Sequence, residues 1–322
     1  MNIAFFVGAF TERGTEVALF TYAKYNEEFL HNKSIIVYPR NITEKDTFEK
    51  FKQRFEMIEI EKIEDMKELI PSRGIHVFYV ITHGGPWDNR HGMKEDIWGN
   101  CVTLVHCVFD TTNPQGDHYL AISDTLNKKY NTHVPVIPHI VERSSTTHHL
   151  REKLGLGNAI VFGRYGGYDQ FDNPIAHTAI REYLSTDPNA YFLFMNTKPF
   201  YHHPRILYLE KSIHIEDKER FVNTCDAMIH ARNLGETFGL SIAEFSIQNK
   251  PIITFRTQMD NAHLDILGKK AVLYHSVESL VEIFENLPEI IPLNDWTAYD
   301  QFTPEKVMPL FVPLFTRKEK RN

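Results

Sequence analysis

Short, nearly uninterrupted apolar runs recur through the first part of the chain, at residues 3–7, 35–38, 76–81, 102–105 and 119–122. Runs without polar alternation suit strands covered on both faces, as in a parallel sheet. Between them, residues 16–29, 44–55 and 65–70 read as helices. Strand and helix in alternation is the signature of a doubly wound α/β sheet.

The rhythm breaks at NTHVPVIPHIVERSSTTHHL, where Pro135 and Pro138 precede a Ser/Thr cluster, which is linker chemistry. A second series follows, with strands expected at 159–162, 191–195, 206–209, 227–230, 252–255 and 271–274 and a helix at 276–286, where Val277, Leu280, Val281 and Phe284 share a face. The 322 residues exceed what one hydrophobic core usually serves. Two α/β domains are expected, at 1–140 and 141–322. The last stretch, with Pro304, Pro309 and Pro313, is expected as an interrupted helix.

Composition narrows the partners. Apolar content of 42% and charged content of 24% are those of an ordinary globular protein. A formal charge of −7 argues against nucleic acid as a partner. The basic end, Arg317, Lys318, Lys320 and Arg321, reads as a solvated tail or, at most, a peripheral contact with anionic lipid. Three cysteines, Cys101, Cys107 and Cys225, form no CxxC pair, which implies a reducing compartment. The start, MNIAFFVGAF, lacks a basic leading region and reads as a strand rather than a signal peptide. With no apolar run near the ~18 residues of a membrane span, a cytoplasmic location is expected.

Seventeen histidines raise the question of metal, but HExxH is absent, and the adjacent pairs His148–His149 and His202–His203 point their side chains apart. No metal site is expected. VGAFTERGTEVALF has neither the GxGxxG nor the GxxxxGK[ST] spacing, which removes the best support for a dinucleotide or P-loop site.

Open parallel sheets bind ligands beyond the carboxyl ends of their strands, so the loop after the strand at 227–230 is a place to look. There GETFGLSIAEF sets Glu236 at a helix start and Glu244 one to two turns inside the helix. Backbone N–H groups around Phe238, Gly239 and Leu240 would form an anion site suited to phosphate. Carboxylates accept well from neighbouring hydroxyls. A phosphate flanked by two hydroxyl-bearing rings describes a nucleotide sugar. The plainer reading is that Glu236 only complements a helix dipole.

The segment CDAMIHARNLGETFGLSIAEFSIQNKPIIT resembles the E-x7-E segment of retaining glycosyltransferases of the GT-B fold, particularly family 4, with Thr237, Phe245 and Asn249 where that family has Gly, Ala and Gly. AIVFGRYGGYDQF, VPVIPHIVE and CVTLVHCVF are similar to three further segments in the family's order. The resemblance implies two Rossmann-like doubly wound domains facing across a cleft, an acceptor-side domain at 1–140 and a nucleotide-sugar domain at 141–322, with the last ~20 residues crossing back. It implies that Glu236 contacts the donor sugar, Glu244 the ribose and Arg164 the diphosphate, and that His106 approaches the sugar. Gly14 and Thr15 would close a glycine-rich loop over the phosphates; loop punctuation and a helix cap are the alternative. The family's lysine after the arginine is missing, which leaves Lys198, Arg232 or the amides at Gly166 and Gly167 to assist, with Lys198 equally a plain surface lysine. His83 and Trp87, in THGGPWDNRHG, are expected on the acceptor side, with Trp87 either stacking on a sugar or packing as a lid.

The implied activity is transfer of a sugar from a nucleotide-sugar co-substrate to a glycan, lipid-linked or protein-linked acceptor hydroxyl. Retention of configuration, no metal and no separate cofactor go with it. A nucleotide-sugar-binding module and a GT-B nucleotide-sugar epimerase are the alternatives, and a Rossmann dehydrogenase loses its glycine fingerprint.

Overall fold

The computed structural model describes residues 1–11, 13–40, 43–88, 92–93, 96–186 and 189–317. The chain divides into two compact units, one formed by Met1–Ile140 with the segment from Phe302 onward and the other by Val141–Gln301.

The first unit runs β1 (Asn2–Phe6), α1 (Gly14–Glu28), β2 (Lys33–Pro39), α2 (Lys45–Arg54), β3 (Glu56–Ile60), α3 (Met66–Arg73), β4 (Ile75–Thr82), β5 (Val102–Cys107), β6 (His118–Ala121) and α4 (Asp124–Tyr130). Its sheet has the order β3-β2-β1-β4-β5-β6, and these pairings are parallel. Every residue of β5 and of β6 is buried, as a strand covered on both faces requires. The edge strand β3, EMIEI, escaped the sequence reading because Glu56 and Glu59 interrupt its apolar side chains, and an edge strand needs no continuous apolar run.

From Phe302 onward, the short helix Pro304–Val307 gives way to the 3-10 stretch Met308–Phe315, as three prolines demand. Phe311 packs its ring on Tyr22, with centroids 5.2 Å apart. His118 Nε2 lies 2.7 Å from the Thr316 carbonyl, and Arg317 donates to the Gly99 carbonyl at 2.6 Å. Arg317 also pairs with Asp117 at 3.4 Å. The other three basic residues expected in the tail, Lys318, Lys320 and Arg321, lie outside the described residues.

The second unit runs α5 (Arg151–Leu154), β7 (Ile160–Tyr165), α6 (Pro174–Thr186), β8 (Ala190–Met195), β9 (Ile206–Leu209), α7 (Ile215–Thr224), β10 (Ala227–Ile229), β11 (Gly235–Glu236), α8 (Leu240–Ser246), β12 (Ile252–Thr254), β13 (Asp260–Asn261), α9 (Ala262–Leu267), β14 (Ala271–Leu273) and α10 (Val277–Glu285). The sheet order is β14-β12-β10-β7-β8-β9, again parallel. Counted from each unit's own first strand, this is the order of the first sheet. In both the chain reverses direction across the sheet next to its first strand. In the second unit that reversal lies between β7 and β10.

Beneath the sheet, Phe162 stacks on Phe192 at 5.0 Å, with Phe284 at 4.6 Å from Phe162. Each fully buried ring of this kind stabilises by about 1.5–3 kcal/mol. Helix α10 begins where the sequence places it: Ser276 Oγ accepts from the Ser279 N–H at 3.1 Å, and Ser279 Oγ accepts from the Ser276 N–H at 3.0 Å. No helix among the described residues is long and apolar enough to cross a membrane.

Candidate functional site

Strand order selects the place. Ligands of doubly wound sheets bind outside the carboxyl ends of the strands, at the point where the order reverses. Arg164 stands near the end of β7, and His230 directly follows β10.

Arg164 is 4% exposed. Its Nη1 donates to the Asn196 carbonyl at 3.3 Å and to Thr197 Oγ1 at 2.5 Å, and its Nη2 donates to the Gly167 carbonyl at 2.8 Å. The guanidinium therefore ties together the loops after β7 and β8. A guanidinium carries five N–H donors, so its remaining hydrogens can still serve a ligand. Burial lowers its pKa to about 10; Glu236 and Asp172 push it up and Arg232 pushes it down, so these four charges lie within electrostatic reach of one another.

Glu236 is held by backbone geometry that only glycine permits. Gly235 adopts φ +68°, and a Cβ there would stand 1.8 Å from the Asp260 carbonyl oxygen. This close approach lets β11 pair with β13, Gly235 with Asp260 and Glu236 with Asn261. A strand of two residues leaves no periodic pattern, so sequence reasoning saw only a loop. Gly239, at φ +84°, then turns the chain into α8, where Leu240 is the first residue and Glu244 lies half-buried.

The Glu236 carboxylate has a cationic or imidazole neighbour at each oxygen. Arg232 Nη1 donates to Oε2 at 2.9 Å. His230 Nε2 faces Oε1 at 3.5 Å. Burial alone would raise the pKa of Glu236, but the His230 contact and the Arg232 charge together outweigh it and hold the carboxyl below its ordinary value. Behind His230 stand Thr254 and His263, both fully buried, which sequence reasoning missed. His230 follows β10 and Thr254 ends the neighbouring β12, and a polar residue at such a strand end is the signal that could have found them.

Lys198 stands apart from this group. It is exposed, and its Nζ lies 3.6 Å from Asp169. Arg232, whose side chain is 15% exposed, is the better placed of the two cations the sequence offered in place of the family lysine.

In the first unit, Gly14 opens α1, and the Thr15 hydroxyl donates to the Glu16 carboxylate at 2.8 Å. Thr15 is thus inside the first turn and does not cap it; Arg13 occupies the cap position without a side-chain bond. His83 follows β4. Its backbone N–H donates to the buried Asp88 carboxylate at 2.8 Å, and its ring contacts Trp87 and Phe109 at centroid distances of 4.8 and 5.1 Å. Trp87 is 62% exposed, which shows a face open to solvent rather than a packed lid.

His106 has a different position from the one expected at the sugar. It is 0% exposed, its Nδ1 lies 2.8 Å from the Tyr79 hydroxyl, and its ring packs near Tyr22 and His139. Burial drives its pKa down to about 4. The imidazole presents no surface to a ligand in this arrangement, because strand alternation turns it into the core of its own unit.

Comparisons with known proteins bear on the fold. No protein-family model matches the chain. No curated protein matches it in sequence either. Solved structures do match in three dimensions. The chain is similar to Alr3699/HepE from Anabaena in complex with UDP and glucose, at 14% identity and a TM-score of 0.73, covering 97% of this chain and 98% of that one. It is similar to a glycosyltransferase from Rickettsia africae at 15% identity and a TM-score of 0.63, covering 98% and 94%. It is also similar to sucrose-phosphate synthase from Thermosynechococcus elongatus at 10% identity and a TM-score of 0.65, covering 98% and 95%. With its two parallel six-stranded sheets, the chain has the α/β fold of the GT-B glycosyltransferases.

Proposed function

We propose that the protein is a glycosyltransferase of the family 4 kind, moving a sugar from a nucleotide-sugar donor to an acceptor hydroxyl with retention of configuration and without a metal. The observation that carries this reading is the Arg232–Glu236 ion pair in the loop after β10, beside the strand reversal that separates β10 from β7, where Arg164 stands. A carboxylate held ionised accepts the donor sugar's hydroxyls, and two guanidiniums match the charge and the oxygen spacing of a diphosphate. That the Alr3699/HepE structure holds UDP and glucose supports the class of ligand.

In this reading Glu236 orients the sugar and Glu244 takes the ribose. Arg164 and Arg232 stabilise the departing diphosphate by preorganised charge, assisted by the N–H groups of Gly239 and Leu240. Lys198, exposed and paired with Asp169, contributes little to this grip. The leaving phosphate takes the acceptor's proton on the same face of the sugar, so no protein nucleophile is required. His83 and Trp87 serve the acceptor, and His106 acts through the packing of its unit. A cytoplasmic location and an acceptor that is a glycan or is linked to lipid or protein complete the proposal.

The test is incubation with UDP, GDP and ADP sugars, with and without sugar acceptors. Release of nucleoside diphosphate with a new glycosidic bond supports the proposal, and the anomeric proton coupling of the product reads retention. Binding without release would replace it with a binding module, and an isomerised donor with an epimerase.

A further inference from the structure

Glu236 is backed by a buried polar chain that no charge or motif requires. His230 Nδ1 lies 2.9 Å from Thr254 Oγ1, and Thr254 Oγ1 lies 3.1 Å from His263 Nε2. His230 is 4% exposed, Thr254 and His263 are each 0% exposed, and the two rings stand 4.8 Å apart. Tyr274 donates its hydroxyl to the His230 carbonyl at 3.1 Å and fixes the backbone behind the ring. Buried polar groups are costly unless hydrogen-bonded, which these contacts provide, and the chain ends 3.5 Å from Glu236 Oε1.

The chain has a direction that can be read from its ends. A hydroxyl has one proton, so Thr254 donates to one ring and accepts from the other. If His230 presents Nε2–H to Glu236, its Nδ1 must accept, so Thr254 donates to His230 and accepts from His263 Nε2–H. That leaves His263 Nδ1 as a bare nitrogen, and it is a buried atom with no hydrogen-bond partner among the described residues. The opposite order would turn a bare His230 nitrogen toward the Glu236 carboxylate, lone pair against lone pair. His230 Nε2 likewise has no partner in bonding geometry, so a small rotation of the carboxylate toward it completes the chain. Catalytic hydrogen bonds are often long before a ligand arrives.

We propose that His230, Thr254 and His263 form a positioning relay in which protons are ordered from His263 toward Glu236, fixing one carboxylate oxygen so that the other is free to exchange Arg232 for a donor hydroxyl. His230 is then the positioning residue of the site, and Thr254 sets its tautomer. The role at a donor sugar rests on the glycosyltransferase reading; the proton order does not.

Two measurements test it on the full-length protein. Imidazole nitrogen NMR on 15N-histidine-labelled protein should show both rings as the Nε2–H tautomer. A Nδ1–H tautomer or a doubly protonated ring at His230 overturns the proton order. In steady-state kinetics, Thr254→Val, which keeps the shape of the side chain, should lower kcat at least tenfold while changing the Kd for UDP less than about twofold. His230→Gln, which restores a donor toward Glu236, should recover activity relative to His230→Phe. An unchanged kcat in Thr254→Val, or equal losses for Gln and Phe at position 230, overturns the positioning role. Should no donor be turned over by the parent protein, the glycosyltransferase reading fails by itself and the NMR result alone decides the relay.

Discussion

Replacing Gly235 by alanine separates two costs that the structure assigns to one position. At φ +68° a side chain meets the left-handed penalty of about 1–2 kcal/mol. Its Cβ would also stand 1.8 Å from the Asp260 oxygen and 2.9 Å from Thr257 Oγ1. The first of these is backbone paired in β13 and cannot swing aside. Forcing β11 from β13 adds an overpacking cost of about 1–3 kcal/mol. Gly155 provides the control, because its φ of +66° is nearly the same and a Cβ there meets nothing within 4 Å. Gly155→Ala should therefore cost only the backbone part, and Gly235→Ala roughly twice as much or more. Urea denaturation of the two variants beside the parent measures both, read as midpoint shifts at constant slope. Because Glu236 is the next residue, Gly235→Ala should also weaken nucleotide binding while Gly155→Ala leaves it intact. Equal destabilisation by the two variants would refute the close approach that places Glu236.

Three other outcomes follow from the same geometry. His106 has a folded pKa of about 4 against an ordinary value of 6.5. Its depressed value contributes stability that is present above pH 6.5 and lost as pH falls through 4, on the order of 3 kcal/mol in all; denaturation of His106→Phe across this range should show a shallower acid loss than the parent. Glu236 is held below its ordinary 4.5, so its stabilisation is present above that value and disappears as pH falls through the lower folded pKa; the stability gap between the parent and Glu236→Gln should narrow below pH 4.5, and a gap that widens contradicts the ion pair. Calorimetric titration with UDP should show Arg232→Ala binding about tenfold more weakly and Lys198→Ala nearly as well as the parent, since Lys198 is exposed and pairs with Asp169.

Much of the fold was legible because continuous apolar runs mark strands buried on both faces, and these are most of the strands in both sheets. The edge strand β3 and the two-residue strands β11 and β13 were not, because glutamates interrupt the first and the others are too short for any period. Glu236 and Glu244 stood out by their spacing around a helix start. His230, Thr254 and His263 did not, because a polar side chain at a strand end looks the same in sequence whether it meets water or a carboxylate. His106 shows the converse. Its place on β5 was readable, but with both faces of the strand buried nothing in the pattern says toward which it points.

The central claim is that Arg164, Arg232 and Glu236 together hold a sugar nucleotide. Thermal unfolding of the parent protein and of an Arg164→Ala, Glu236→Gln double variant, each with UDP, GDP and ADP sugars, measures this directly. At a hundredfold excess over Kd a bound donor stabilises by about 2.7 kcal/mol, which for units of this size corresponds to a rise of roughly 5–10 °C in Tm. The account predicts that rise in the parent with at least one donor and its loss in the double variant. No rise with any donor, or an equal rise in both proteins, would contradict it.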